Sequence, residues 1–129
     1  MKILVIEDDI FKREQITDFL EEKNIEYEAY AYVNPALRYI LQNKEKISGI
    51  ILDMGLPSFK DSKDYTLIKG MDIIKELYRK RLYIPVLINS SRDLSIFEMH
   101  SFVFGQRTEI GNYQILEDYI SFLKQREKQ

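Results

Sequence analysis

Apolar residues fall along this chain in two patterns that alternate: short unbroken runs, and longer stretches in which they recur at helical spacing. Unbroken runs are what strands buried on both faces require, so the alternation predicts a parallel sheet whose strands are joined by helices. The order reads strand, helix, strand, helix, strand, helix, strand, a short connection, strand, helix. Ile3-Leu4-Val5-Ile6 is the first strand, and the helix after it carries Ile16, Phe19 and Leu20 on one face. Glu26 to Val33 alternates, with Tyr27, Ala29, Ala31 and Val33 on one side, which suits an edge strand. Asn34-Pro35 predicts the next helix start, with Asn34 as N-cap and Pro35 in the first turn, ahead of the stripe Leu37, Ile40 and Leu41.

Gly49-Ile50-Ile51-Leu52 reads as a central strand ending at Asp53. Met54 to Lys69 is a long stretch of mixed polarity containing Gly55 and Pro57, after which a helix resumes around Gly70 with Met71, Ile74, Leu77 and Tyr78 facing inward. Ile84-Pro85-Val86-Leu87-Ile88 is a fourth strand, its proline near the start, where a missing donor is tolerated. Phe102-Val103-Phe104 is a fifth. Only residues 89–101 lie between these two strands, and a parallel crossover needs about 10–12 residues including its helix, so the helix there is shortened or missing. Leu116, Tyr119, Ile120 and Leu123 mark a terminal helix from Asn112 onward, followed by the charged tail Lys124 to Gln129.

Composition narrows the chemistry. The 129 residues, 45% of them hydrophobic, suit one globular domain spanning residues 1–129. Cys 0 excludes disulfides, thiolate nucleophiles and cysteine-ligated zinc. With 19 basic against 21 acidic residues and a net charge of -2, neither nucleic acid nor a membrane surface is the expected partner. No apolar run approaches the roughly 18 residues of a membrane span. The apolar part of Met1 to Glu7 is too short for a signal peptide, so a cytoplasmic location is expected.

In an open parallel sheet, ligands bind beyond the carboxyl ends of the strands, where the strand order reverses. The first strand ends in Glu7-Asp8-Asp9, the third in Asp53 and the fourth in Asn89-Ser90-Ser91, so several carboxylates and hydroxyls converge. Asp9 reads as the N-cap of the first helix. The others form an acidic cluster that is unfavourable alone, and a divalent cation is the simplest way to keep all of it ionised. Hard oxygen ligands suit Mg²⁺, with Asp8 and Asp53 ligating directly and Glu7 through water. A carboxylate beside such a cation can attack phosphorus and form an acyl phosphate, and Asp53 is the best placed. A hydroxyl at Ser90 could donate to the phosphoryl group and report it to neighbouring loops.

The segments Ile3 to Asp9, Ile51-Leu52-Asp53-Met54-Gly55-Leu56-Pro57 and Ile84 to Ser91 resemble the receiver domain of bacterial response regulators, and the resemblance spans essentially the whole chain. It implies a doubly wound, flavodoxin-like α/β fold with a five-stranded parallel sheet in the order 2-1-3-4-5. It further implies a Mg²⁺ site at Glu7, Asp8 and Asp53 with the Gly55 carbonyl, a phosphoacceptor at Asp53, and a switch pair at Ser90 and Phe102. The donor is then a sensor histidine kinase or small phosphodonor, the output is binding to an effector protein, and the chain is no enzyme beyond self-catalysed phosphotransfer and dephosphorylation.

Three features depart from the family. Its lysine after the fifth strand aligns with Gly105, so either another base reaches in, Arg92 and Arg107 being the nearest in sequence and Arg107 the candidate, or the phospho-switch is weakened. The stretch from Asp53 to Gly70 is longer than usual, and its Lys60 and Lys63 are further substitutes for that lysine. The region Arg92 to Ser101, which holds Phe97, Met99 and the single His100, is truncated where the family carries its usual output surface. The missing lysine and short helix favour an alternative, a phosphorylation-independent pseudo-receiver that serves as a protein-interaction module. A haloacid-dehalogenase-type phosphohydrolase needs a second aspartate two positions after the first as general acid, and Gly55 stands there. The five glycines form no nucleotide-binding G-x-G-x-x-G or Walker turn.

Overall fold

The computed structural model describes residues 1–56, 60, 70–90, 103–107 and 113–128. Strand β1 (Lys2–Ile6) leads into helix α1 (Ile10–Glu22), strand β2 (Glu26–Tyr30) and helix α2 (Val33–Asn43), followed by a 3-10 turn at Lys44–Lys46. Strand β3 (Gly49–Leu52), helix α3 (Gly70–Arg79), strand β4 (Val86–Asn89), strand β5 (Val103–Arg107) and helix α4 (Gln114–Glu127) complete the described elements. The strands make one parallel sheet in the order β2-β1-β3-β4-β5, the doubly wound flavodoxin-like arrangement expected from the sequence. Arg92 to Ser101, where a shortened or missing helix was expected, lies outside the described residues, as do Lys63, Ser91, His100 and Phe102.

The unbroken apolar runs follow from a sheet covered on both faces. Leu4, Ile6, Ile50, Leu52, Val86 and Ile88 point toward α2 and α3, where they meet Ile40, Ile73, Ile74 and Leu77. Their neighbours Ile3, Val5, Ile51 and Leu87 point the other way, onto Ile16 and Leu20 of α1 and Leu116 and Ile120 of α4. Each such side chain taken fully out of water contributes about 1.5–3 kcal/mol. Helices α1 and α3 both end on a left-handed residue, Asn24 (φ 57°) and Arg81 (φ 55°). In each, the amide beyond it bonds back into the last turn, Ile25 N–H to Leu20 O and Leu82 N–H to Leu77 O, both at 2.9 Å.

Several boundaries differ from the periodicity. Strand β2 stops at Tyr30, and α2 begins at Val33 with Tyr32 as its cap, so Asn34 lies inside the first turn. Burial of Val33 in the core turns the chain inward before the asparagine is reached. In α3 the inner face is Gly70, Ile73, Ile74 and Leu77, while Tyr78, expected to face inward, is 64% exposed. The start at Gly70 sets this register: a Cβ there would lie 2.5 Å from the Asp53 carbonyl oxygen, so the helix backbone packs directly on the end of β3. Strand β5 runs on to Arg107, which puts Gly105 inside the strand opposite Leu87, and an irregularity in register falls between Val86 and Leu87.

Tyr119 of α4 ties the sheet to its last helix. Fully buried, its hydroxyl donates to the Pro85 carbonyl at 2.6 Å and accepts from the Ile50 N–H at 2.8 Å, so it joins β3 to the residue before β4. Gly49 makes room for it, because a Cβ there would collide with the Tyr119 hydroxyl. Tyr119→Phe removes the hydroxyl's bonds but leaves the Ile50 N–H donating to the Pro85 carbonyl at 3.0 Å, and it is expected to cost about 0.5–1.5 kcal/mol in urea unfolding. An unchanged midpoint would contradict this role.

Candidate functional site

Strands β1, β3, β4 and β5 each deliver part of the site at the carboxyl edge of the sheet. Two backbone bonds fix the ends of β1 and β3: the Glu7 N–H donates to Tyr30 O at 2.9 Å and the Asp53 N–H to Ile6 O at 2.8 Å. As a result carboxylate oxygens of Glu7, Asp8 and Asp53 lie within 4.8 Å of one another. Glu7 is almost completely buried, at 1% exposure, whereas Asp8 and Asp53 are half-buried and open toward solvent. Asp9 caps α1, accepting from Lys12 N–H at 3.0 Å, as its position predicts.

Burial is the largest cause pushing the Glu7 carboxyl up to about 9, followed by its hydrogen bond with Asp53 and the Asp53 charge. The Asp9 N–H and the Lys12 ammonium oppose that rise. Asp8 is likewise raised, first by burial and then by Asp53. The protein alone thus leaves the cluster short of positive charge. Three hard oxygen donors, two of them open to solvent, match the preference of Mg²⁺ for one or two carboxylates and several waters.

Gly55 follows directly, its N–H donating to Asp53 Oδ1 at 3.3 Å. A Cβ at Gly55 would meet nothing within 4 Å, so space does not demand glycine there and only the backbone is engaged. Ser90 is buried at the end of β4, its N–H donating to the Arg107 carbonyl at 3.0 Å. Arg107 pairs with Asn89 at the carboxyl edge, while Gly105 lies two residues back within the strand. Its side chain is 3% exposed, and burial lowers its pKa. Nη1 donates to Asn89 Oδ1 at 3.3 Å, Nη2 donates to Gln15 Oε1 at 3.1 Å, and the guanidinium lies 5.6 Å from the Tyr113 ring centre.

The structure therefore brings Glu7, Asp8, Asp53 and Gly55 together and places Ser90 and Arg107 on the adjoining strand ends. Lys60 is exposed and makes no hydrogen bond or ion pair among the described residues, and Lys63, Arg92 and Phe102 lie outside them. The sequence placed Asn89 at this edge without giving it a role, and it missed Gln15. Asn89 donates from Nδ2 to Glu7 Oε1 at 3.3 Å, and its signal was a lone amide closing an apolar strand. Gln15 meets Arg107 across 92 positions of sequence, which leaves no local trace.

No family model matches the sequence, and no curated protein does. Solved structures do match. A response regulator receiver domain protein from Clostridium thermocellum is 27% identical, with a TM-score of 0.78 over 98% of this chain and 96% of that one. A CheY-like receiver domain protein from Methanospirillum hungatei is 20% identical, with a TM-score of 0.75 over 98% of this chain and 96% of that one. The response regulator TrrA from Thermotoga maritima, solved in complex with Mg²⁺-BeF, is 19% identical, with a TM-score of 0.75 over 95% of this chain and 97% of that one. The chain thus has the fold of response regulator receiver domains, matched over nearly its whole length. No helix among the described residues is long and apolar enough to cross a membrane.

The raised Glu7 carboxyl sets a pH dependence for the metal-free protein. Glu7 holds its proton more tightly folded, at about 9, than unfolded, near the ordinary 4.5, so its contribution is complete below pH 4.5 and lost as pH rises toward about 9. In chelator-treated protein the urea midpoint is expected to fall across that window, and Glu7→Gln is expected to remove most of the fall. A wild-type midpoint flat with pH would contradict the burial of this group.

Proposed function

We propose that this receiver accepts a phosphoryl group on Asp53 in a Mg²⁺-dependent reaction of a two-component relay and acts by binding an effector protein. The observation that carries the reading is the convergence of Glu7, Asp8 and Asp53 from two strand ends, with oxygens within 4.8 Å. Asp8 and Asp53 would hold the ion directly, Glu7 through water, and the Gly55 carbonyl would complete the protein's share. Bound there, Mg²⁺ offsets negative charge on the phosphoryl oxygens.

The chain's own residues do the rest. An Asp53 oxygen forms the new bond to phosphorus. The bond from phosphorus to the donor, a phosphohistidine nitrogen of a sensor kinase or the oxygen of a small acyl phosphate, breaks, and the donor leaves with the electron pair. Ser90 donates its hydroxyl to a phosphoryl oxygen. Arg107 supplies the cation in place of the family's lysine; its place beside Asn89 at the end of β5, buried next to the carboxylate edge, supports that role over exposed Lys60. A charge-assisted bond from Arg107 to the phosphoryl group is stronger than its bonds to the neutral amides of Asn89 and Gln15.

A second reading, a pseudo-receiver that switches by partner binding, is favoured by those same amide contacts of Arg107 with Asn89 and Gln15. Incubation with acetyl phosphate and Mg²⁺, read by intact mass, separates the two. Addition of one phosphoryl group is expected in the wild type and none in Asp53→Asn. Arg107→Leu is expected to slow the addition about 10- to 100-fold, the value of one hydrogen bond to a charged group. Phosphorylation that persists in Asp53→Asn, or is absent from the wild type, would contradict the proposal.

A further inference from the structure

Arg107 stands at a junction of four elements. Its backbone is held in the sheet, where its carbonyl accepts from Ser90 N–H at 3.0 Å. Its side chain reaches sideways: Nη1 to Asn89 on β4, Nη2 to Gln15 on α1, and the guanidinium over Tyr113 at the entry to α4. Asn89 is itself engaged at its other end, since its Nδ2 donates to Glu7 Oε1, which turns Oδ1 toward the arginine. One amide thus connects a carboxylate of the acidic pocket to the buried cation.

We infer that Asn89 and Gln15 are positioning residues that hold Arg107 as a two-position cation. In the first position it is parked between α1 and Tyr113; in the second it has turned about Asn89 toward a phosphoryl group on Asp53, releasing Gln15 and Tyr113. This rests on the reading of Arg107 as the phosphoryl cation. Because the backbone of Arg107 is fixed by the ladder, the exchange needs only side-chain rotation. It is driven by the difference between the neutral amide acceptors of Asn89 and Gln15 and a doubly charged one.

The release has a place to be felt. Gln15 and Tyr113 line the same open groove between α1 and α4, together with Phe19 and Glu117, and Tyr113 stacks on Phe19 with ring centres 5.7 Å apart. Loss of the guanidinium from behind Gln15 and Tyr113, two residues of the groove's lining, is a signal that does not depend on the segment between β4 and β5.

Two measurements test the inference, with Mg²⁺ and beryllofluoride as the probe. The chain has no tryptophan, so Tyr113→Trp provides a single reporter under the guanidinium. Its emission is expected to change when beryllofluoride is added in excess Mg²⁺, and to stop responding once Arg107→Leu is added. In the second, Gln15→Ala removes the parking contact at a half-buried helix position where alanine is well tolerated. Beryllofluoride is expected to bind this variant about 10- to 100-fold more tightly, the value of one hydrogen bond to a charged group, with Mg²⁺ affinity unchanged. Unchanged or weaker beryllofluoride binding by Gln15→Ala, alongside weakened binding by Arg107→Leu, would overturn the parked position while leaving Arg107 as the phosphoryl cation. Unchanged binding by Arg107→Leu would overturn both.

Discussion

Repulsion among three carboxylates is the constraint on which this structure turns. The ends of β1 and β3 hold Glu7, Asp8 and Asp53 within 4.8 Å, although burial and the neighbouring Asp53 both disfavour ionisation of Glu7 and Asp8. A fold relaxed for its own stability alone would separate them. The sheet does not allow it, because the Asp53 N–H is tied to Ile6 O and α3 packs through Gly70 onto the Asp53 backbone. The two-sided core therefore spends part of its stabilisation holding an unfavourable cluster in place, the arrangement expected where a ligand supplies the missing charge.

The polar residues around the cluster continue that logic. Asn89 contacts Glu7 on one side and Arg107 on the other, so positive charge is kept one amide away from the carboxylates. Direct pairing of Arg107 with Glu7 would neutralise the pocket and compete with a metal ion. Spacing by an amide keeps the acids open to a cation and keeps the guanidinium close to the place where negative charge would arrive.

Much of this was legible in the sequence. The runs Ile3 to Ile6 and Gly49 to Leu52 identify β1 and β3 because strands covered on both faces need no polar alternation, and the acids that follow them mark the edge where ligands bind. Asp9 as a cap follows equally from local chemistry. The errors came where tertiary packing outweighed a local signal. Val33 enters the core ahead of the Asn34-Pro35 start, and Tyr78 turns out to solvent because Gly70 sets the register of α3. The sequence pattern ends β5 at Phe104, which leaves Gly105 and Arg107 beyond the strand, whereas the ladder with β4 runs on through Gly105 and Gln106 to Arg107. The Gln15 contact depends on how α1 lies against β5, which no local pattern encodes.

The central claim is that the acidic edge is a working phosphoacceptor site and not a residue of the fold's ancestry. Amide NMR spectra of the wild-type chain, recorded first with Mg²⁺ and then with Mg²⁺ and beryllofluoride, test it most directly. The account predicts shifts at Glu7, Asp8 and Asp53 on adding the metal, and a second set at Asp53, Ser90 and Arg107 on adding the phosphoryl mimic. Spectra unmoved by either addition would contradict it.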